Sequence, residues 1–452
     1  MFLETWKRYF LRSPRSAWSW LLEKEWRELV VSRAWWVLLA AIGPLVGVSF
    51  ISAVRTYAEV SGLGGTAAGV GEALSPLVGV WAPTFSACEL AAVFLLPFVA
   101  IRQVGGDQQS GALKLEVQHR MPAFARIAAK AGVLLVGWFV AFLAPVMAVI
   151  LWKSYGGSVY LPELAAIAAG HVLNAGLTIA LAAAAASITE HPSTAAIVTL
   201  SITVGTWIIS FIAAVQGGIW ESMAGYTPTA MVAAFQHGLV RMDMVLIALT
   251  LIFGGLAVAA VWTRIGIAAR RRLGESLMFG ALVIVLVAAS TLVNKHWDLS
   301  ENRMNSFSEA DERVLSQLQM PLRIEAHLAP EDPRRADLER NAASKLRRVM
   351  PHLQVEYISA TSIGLFEQTS AHYGEIWYDL GGKKEMSRIT TADGVLETIY
   401  TLAGIAPPPE DEKSIFRGHP LAVPPKGAAL AFYGLWPGGI IVAGVLLRRR
   451  RV

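Results

Sequence analysis

The chain has 452 residues, of which 54% are hydrophobic and 16% are charged, and its formal net charge is +5. Soluble globular domains carry about 25% charged residues, so this composition excludes an ordinary soluble protein and indicates a membrane protein with one polar domain. The basic excess lies beside apolar segments, where it orients a membrane protein, and is no argument for a nucleic-acid partner. The single cysteine, Cys88, excludes an intrachain disulfide and a multi-cysteine metal cluster.

The first element is a basic, tryptophan-rich segment at residues 1–33. Its apolar side chains recur at helical spacing, with charged residues elsewhere around the helix. This pattern predicts a cytoplasmic amphipathic helix in the membrane interface, with an apolar face made of Trp18, Leu21, Leu22, Trp26 and Val30.

Eight apolar segments follow, each near the length of about 20 residues that a helix needs to cross a bilayer. We predict that they span the membrane at residues 34–54, 79–101, 131–152, 162–188, 195–215, 244–262, 277–293 and 428–447. A moderately apolar stretch at 217–238 is broken by glycines and Pro228, and we predict that it is re-entrant or interfacial on the outer side.

Lysine and arginine are concentrated on one side of these spans, in segments 7–33, 102–130, 264–272 and 448–451. The opposite short loops hold only Arg55, Lys153 and Arg241. Because basic loops stay in the cytoplasm, both termini are predicted to lie in the cytoplasm, and the chain in a bacterial inner (plasma) membrane. The polar domain at 295–426, between spans seven and eight, is then extracytoplasmic.

This polar domain alternates strand and helix patterns. We predict strands at 322–328, 353–358, 375–380 and 384–389, and helices at 333–350, 363–373 and 391–404. Gly381 and Gly382 are typical of a hairpin turn. The predicted fold class is a polytopic α-helical membrane protein with about eight transmembrane helices and a small extracytoplasmic α/β domain. We expect its inner strands to be parallel, and residues 407–425 to tether it to the last span.

Motifs for nucleotide binding and catalysis are missing from the sequence. It contains no P-loop, HExxH or GxSxG pattern, and its nine histidines show no metal-ligand spacing. We therefore predict no catalytic residue, no metal and no cofactor in this chain. An intramembrane enzyme is the least supported interpretation.

The loop between spans two and three is the most informative segment. Ser110 can cap a short helix at 111–119, and Pro122 can start the next one. Leu113, Leu115 and Val117 give this loop apolar side chains although it lies on the basic side. Exposed apolar groups on a cytoplasmic loop indicate a docking surface.

This loop resembles the coupling segment of type-2 ABC transporter permeases. The matching residues, which would couple to the ATPase, are Asp107, Gly111, Leu113, Leu115, Pro122, Arg126 and Lys130. Together with the amphipathic helix and the first six spans, the resemblance covers residues 18–272, with the six-span permease domain at 34–272 and its coupling loop at 102–130. It implies a permease that pairs with an identical or homologous second subunit. A separate cytosolic ABC ATPase would bind ATP and Mg²⁺ and drive it.

The join between span seven and the polar domain is similar to a second family, the gliding-motility-type auxiliary component of ABC systems. The matching signature residues are Asp298, Leu299, Ser300, Glu301, Ser306 and Ser308. The resemblance implies a shortened auxiliary domain fused to its permease.

Glu89 lies inside predicted span two, and His171 and Asn174 lie inside predicted span four. Intramembrane polar groups are functional candidates, because burying them in lipid is costly. The alternative for Glu89 is simple solvation near the outer interface.

The leading hypothesis is therefore the permease subunit of an ABC exporter, whose outer domain recruits a substrate or an envelope protein. The alternative is a mechanotransmission or signalling subunit that transports nothing and moves the outer domain against a periplasmic or cell-envelope partner. Membrane lipid surrounds the protein in both cases.

Overall fold

The structure is a computed structural model. It describes residues 17–60, 75–118, 121–216, 218–301, 303–318, 320–329, 332–350, 352–358, 372–408 and 425–449. For residues 17, 60, 115, 118, 214, 215, 448 and 449 it describes the backbone alone.

Within this part of the chain, eight helices are long and apolar enough to cross a membrane, as the sequence predicted. These spans one to eight are Arg33–Glu59, Leu77–Ser110, Ala123–Ser154, Leu161–Ile188, Pro192–Ala213, Met242–Trp262, Ala269–Ser290 and Ala428–Leu447. Three are built of successive helical segments. Span two joins a π-turn Leu77–Trp81 to Ala82–Phe94 and Leu96–Ser110, span three joins Ala123–Ala141 to Leu143–Ser154, and span eight joins Ala428–Leu430, a π-turn Ala431–Leu435 and Trp436–Arg449.

Several helices are longer than the apolar runs that predicted them. Span two continues to Ser110 instead of ending at residue 101, and span three begins at Ala123 instead of residue 131. Span seven begins at Ala269 instead of residue 277. Arg270 to Arg272 therefore lie in its first turn, although they were predicted to end the permease domain at 34–272. Hydropathy detects only the apolar part of a span, whereas the helix itself continues as long as its backbone hydrogen bonds do.

The two ends of the bundle carry different structures. At one end, which we call the loop face, lie the N-terminal helix Ala17–Val31 and a loop helix Ala112–Gln118 between spans two and three. At the opposite end, the domain face, lies the polar domain that follows span seven.

The stretch predicted to be re-entrant or interfacial forms two short helices at the domain face, Ile219–Ala224 and Pro228–Gln236. Thr227 caps the second helix by accepting a hydrogen bond from the Ala230 backbone N–H. Its residues Met231, Val232 and Phe235 are buried against spans four and six. This helix is therefore an integral part of the bundle.

Span eight packs against span one in the antiparallel direction. The Trp436 indole N–H donates to the Leu39 carbonyl oxygen over 2.7 Å. A Cβ on Gly47 would lie 2.4 Å from the Cβ of Phe432, so glycine is required for this close approach.

The polar domain is a four-stranded mixed sheet with helices. A short strand β1, Leu239–Arg241, and β2, His296–Asp298, form a separate two-stranded ladder at the domain face. The sheet has the order β4-β3-β5-β6. Its strands are β3 Leu322–Ala326, β4 Leu353–Tyr357, β5 Ile376–Leu380 and β6 Lys383–Ser387, and its helices are Glu309–Gln317, Pro333–Leu338 continued by Glu339–Ala343 and Ser344–Val349, and Ala392–Ala403.

The predicted strands and the Gly381–Gly382 hairpin are confirmed, but the expectation that the inner strands are parallel is wrong. Only β3 and β4 run parallel, whereas the inner pair β3 and β5 is antiparallel. The helical connection Pro333–Val349 allows β4 to run parallel to β3. The sequence does not determine beside which strand of the sheet the β5–β6 hairpin lies. Most of the helix predicted at 363–373 and of the tether at 407–425, with residues 1–16, lies outside the described residues.

Candidate functional site

Five charged side chains meet beneath the loop face, where the N-terminal helix, the loop helix and the ends of spans two and three converge. This loop-face cluster consists of Lys24, Glu25, Asp107, Glu116 and Lys130. Each side chain except Lys24 is at most 6% exposed. Charges that are removed from water this completely must be paired.

Lys130 of span three lies at the centre of the loop-face cluster. Its Nζ is 2.6 Å from Glu25 Oε1 and 3.6 Å from Glu116 Oε1, and it also donates to Asp107. These three carboxylates belong to the N-terminal helix, the loop helix and span two. One ammonium group therefore holds three separate elements against span three.

Lys24 adds a second set of contacts at the edge of the cluster. Its Nζ is 3.1 Å from Glu25 Oε1, 3.0 Å from Asp107 Oδ2 and 3.1 Å from Glu28 Oε1, and it also contacts Glu116. Burial disfavours the ammonium, but the nearby carboxylates of Glu25, Glu116 and Asp107 raise the pKa of Lys24 above its ordinary value.

Glu25 is held from the span-two side as well. The Gln103 Nε2 donates to Glu25 Oε2 and to the Glu25 backbone oxygen, both over 2.9 Å. Glu25 itself is fully buried. Hydrogen bonds from spans two and three therefore hold the N-terminal helix against the bundle.

Acidic groups outnumber basic groups in this cluster, since Lys24 and Lys130 face Glu25, Asp107 and Glu116, and Glu28 also contacts Lys24. Burial raises the pKa of the Glu116 carboxyl, and nearby Asp107 adds to the increase while both lysines oppose it. Carboxylate oxygens of Glu25, Asp107 and Glu116 lie within 4.8 Å of one another. The two ammonium groups already supply the counter-charge that a cation would bring.

The loop helix leaves span two through a left-handed turn. Gly111 ends span two with φ of 76°, a conformation that glycine adopts without a side-chain clash. The Ser110 Oγ accepts from the Ala112 backbone N–H over 3.4 Å, at the start of the helix predicted for 111–119. Lys114 and Val117 are exposed on this helix.

The residues matched to a coupling segment occupy two kinds of position. Asp107 and Lys130 are buried in the loop-face cluster, and Arg126 is buried beside it, where its Nη1 donates to the Met121 carbonyl oxygen over 2.8 Å. Pro122 is exposed and Leu113 is partly buried. The side chain of Leu115 lies outside the described part of the structure.

Sequence reasoning missed Lys24, Glu25 and Glu116. Glu25 lies four residues after Leu21 and four residues before Leu29, so the three share one face of the helix, and all three are buried. This spacing could have identified Glu25 from the sequence. Of the predicted apolar face, Leu21 and Val30 are buried against the bundle, whereas Trp18 and Trp26 are 43% and 37% exposed. A carboxylate on the buried stripe of an amphipathic helix indicates a basic partner elsewhere in the chain.

The signature residues at the join form a second polar centre, at the domain face. Asp298 Oδ1 accepts from the Ser300 N–H over 3.1 Å and from its hydroxyl over 2.5 Å, while Oδ2 accepts from the Asn305 N–H over 2.9 Å. Leu299 N donates to the Gly238 carbonyl oxygen over 2.8 Å. The join is therefore a fixed turn attached to the connection between spans five and six.

The same turn contacts span four on one side and the polar domain on the other. The Glu301 N–H donates to Glu163 Oε1 over 2.7 Å, and Lys345 Nζ donates to the Ser306 carbonyl oxygen over 3.3 Å. Ser308 caps helix Glu309–Gln317 by accepting from the Asp311 N–H over 3.1 Å. Span four is thus connected to the polar domain through hydrogen bonds.

The three intramembrane candidates do not form one site. Glu89 and Asn174 line a common cavity among spans two, four, five, six and seven. His171 is buried elsewhere, with its Nε2 3.2 Å from Gln236 Nε2 and its ring 5.9 Å from that of Phe85.

Comparison with known proteins gave no relative: no family model, curated protein or solved structure matches this chain.

Proposed function

We propose that the chain is the membrane-spanning permease subunit of an ABC exporter, driven by a separate cytosolic ATPase and paired with a second permease subunit. The loop face would lie in the cytoplasm of a bacterial cell and the domain face outside its inner membrane. The polar domain would recruit a substrate or an envelope protein. ATP and Mg²⁺ would bind to the partner ATPase.

The observation that carries this proposal is the loop-face cluster. A force applied to the loop helix reaches Glu116, and from there Lys130 transmits it to span three and to the N-terminal helix. Buried ion pairs resist separation, because breaking one leaves an uncompensated charge in a low-dielectric site. The elements at the loop face would therefore move as one unit when the ATPase closes.

The loop face also offers space for a partner. A groove of about 720 Å³ lies beside the cluster, between the N-terminal helix, the end of span two and the start of span five. Its lining combines charged and polar groups such as Glu28, Arg102 and Gln109 with apolar Phe98. Such a mixed groove suits a transient protein contact, which is the kind of contact that a cycling ATPase makes.

The alternative function, mechanotransmission without transport, is favoured by the domain-face contacts. Strand β1 between spans five and six pairs with β2 before the polar domain, and Glu163 of span four binds Glu301. Bundle movement would then be passed directly to the polar domain and to an envelope partner.

The docking test uses the exposed loop-helix residue Val117. The tagged full-length chain is purified from its native cells, and co-purifying P-loop ATPases are quantified by mass spectrometry. Val117→Glu should lower recovery of the ATPase by about tenfold, because a charge replaces an apolar contact of about 1–2 kcal/mol. Met386→Glu, a matched exposed change at the opposite end of the molecule, should have no effect. Equal recovery with both variants, or no ATPase at all, would contradict the proposal.

Sidedness is tested separately by cysteine labelling in intact cells. Cys88 is buried, so background labelling by a membrane-impermeant maleimide should be low. Lys384→Cys in the polar domain should react in intact cells, and Lys114→Cys in the loop helix only after permeabilisation. Reaction of both under the same condition would overturn the proposed orientation.

Reconstituted vesicles that contain the chain and its ATPase separate transport from mechanotransmission. ATPase activity stimulated by a transported compound supports the exporter. Activity that changes only when an envelope protein is added supports the alternative.

A further inference from the structure

A cavity of about 360 Å³ lies within the bundle, away from both polar centres described above. It is lined by residues of spans two, four, five, six and seven and of the short helix that begins at Pro228, and it is partly open. This volume falls in the range of about 300–1,000 Å³ that is typical of small-molecule sites.

Close helix crossings determine the shape of the cavity. A Cβ on Gly255 would lie 3.2 Å from backbone atoms of Ala180, so spans four and six touch there. A Cβ on Gly254 would lie 2.4 Å from Val283 Cγ2, which brings span seven against span six. By contrast, the described structure has no atom within 4 Å of a Cβ built on Gly280, which also lines the cavity. The crossings close one part of the cavity and leave room beside Gly280.

The cavity wall is mostly apolar but carries a small set of polar groups. Glu89 is half-buried, and it is the single ionisable side chain among the described lining residues. Asn174 is 4% exposed, and its Nδ2 donor has no hydrogen-bond partner in the described part of the chain. Hydroxyl groups are added by Thr178, Thr203, Thr206 and Thr229.

The Asn174 donor, unpaired among the described residues, and the Glu89 carboxylate, with no basic side chain among the described lining residues, are costly in an apolar surrounding. Both costs fall if a ligand supplies a cation for Glu89 and an acceptor oxygen for Asn174. The apolar remainder of the wall suits a hydrocarbon chain, and Ile202 and Leu251 at its edge are 49% and 39% exposed. A lipid-like molecule could therefore enter from the bilayer.

We propose that this cavity is a binding site for a single-chain amphiphile whose head carries both an amine and an oxygen acceptor. The ammonium pairs with Glu89, the oxygen accepts from Asn174, and the chain lies along the apolar wall of spans five, six and seven. Binding at this site needs no partner ATPase, because the lining residues belong to this chain.

The test uses photoreactive sphinganine, a long-chain amino alcohol with a diazirine in its chain. Two probes of matched chain length serve for comparison, its N-acetyl derivative, which lacks the cation, and a diazirine fatty acid, which reverses the charge. Each is crosslinked to the purified full-length protein in lipid nanodiscs, and the labelled peptides are mapped by mass spectrometry. The amino alcohol should label spans five to seven at least about tenfold more than the other two, which is the size of one charged hydrogen bond.

Three variants locate the interaction. Glu89→Gln should reduce amino-alcohol labelling about tenfold, and Asn174→Leu should reduce it by about two- to tenfold, as for a neutral hydrogen bond. Gly280→Leu should block labelling by filling open space. Glu190→Gln, an exposed glutamate outside the cavity, should behave as wild type.

Equal labelling by all three probes would mean that the cavity takes up any hydrocarbon, and would overturn the proposal. Labelling that is unchanged in Glu89→Gln, or that maps outside spans five to seven, would overturn it as well. If Glu89→Gln does not fold, labelling of the wild-type protein by the three probes still tests the preference for an amine head. Gly280→Leu then tests whether labelling occurs in this cavity.

Discussion

The Glu163 carboxylate accepts a hydrogen bond from the Glu301 backbone N–H over 2.7 Å, although the two residues are 138 positions apart in the chain. Glu163 lies in the first turn of span four, and Glu301 lies in the turn that carries the polar domain. The contact joins the membrane bundle to the domain by a side chain that is itself buried.

Glu163→Leu should loosen this junction. Leucine removes the acceptor, and a partly buried backbone donor left without this partner costs at most about 1–3 kcal/mol. Hydrogen exchange of the full-length protein, followed by mass spectrometry, should show faster exchange in peptides covering 299–304. Glu163→Gln keeps an acceptor oxygen and should retain most of the protection. Equal exchange in the leucine variant and the wild type would argue against the contact.

Lys130→Met should destabilise the loop face strongly. The substitution keeps the apolar stem but leaves the buried carboxylates of Glu25 and Asp107 without their central cation, a loss of about 3–5 kcal/mol. Thermal unfolding in detergent, monitored by tryptophan fluorescence, measures the effect. The matched control is Lys153→Met at the exposed end of span three, which should change stability by no more than about 0.5 kcal/mol. Similar losses in both variants would remove the special role of Lys130.

The pH dependence of stability should contain a contribution from Glu116. Its pKa is raised from the ordinary value of 4.5 in the folded protein, so the folded state binds the proton more tightly than the unfolded state does. Stability should therefore increase as the pH falls from neutrality toward the ordinary glutamate pKa, and decrease as the pH rises through the raised value.

Glu116→Gln should remove this contribution, and should cost little stability at neutral pH. Within the described residues Glu116 Oε2 has no hydrogen-bond partner, and the substitution lowers the excess of carboxylates in the cluster. Unfolding midpoints of the wild type and the variant at several pH values between 5 and 8 give the comparison, in steps chosen around the glutamate range. Wild-type stability that rises with pH in this range would contradict the assignment of this pH dependence to Glu116. A decrease with rising pH that persists in Glu116→Gln would contradict it as well.

Gly47→Leu should separate span eight from span one. The new side chain would overlap Phe432, and overpacking of this kind costs about 1–3 kcal/mol. Combining it with Phe432→Ala should recover part of the loss by making room. Gly132→Leu in span three is the control, because the described structure has nothing within 4 Å of a Cβ at that position. Failure of the double variant to recover any stability would place the cost elsewhere.

Local sequence patterns predicted the features that depend on neighbouring residues. Each span satisfies its own backbone hydrogen bonds, so an apolar run is sufficient to find it. The hairpin at Gly381 and Gly382 was predictable for the same reason, because two adjacent residues with positive φ make the turn.

Features that depend on distant partners were not predictable in this way. The pairing of Lys130 with Glu25 joins positions 105 residues apart, and the antiparallel insertion of β5 beside β3 depends on the whole sheet. Asp107 and Lys130 were selected through a resemblance, but their mutual contact and their burial became evident only from the fold.

The position of Glu25 has a consequence for biosynthesis. Its carboxylate is made early, while its counter-ion on span three emerges from the ribosome only after 105 further residues. The N-terminal helix therefore cannot make its final contact with Lys130 until two spans have been inserted and synthesis of the third has begun. Nascent chains from which Lys130 has not yet emerged should leave this helix open to protease, and chains long enough to expose Lys130 outside the ribosome should protect it.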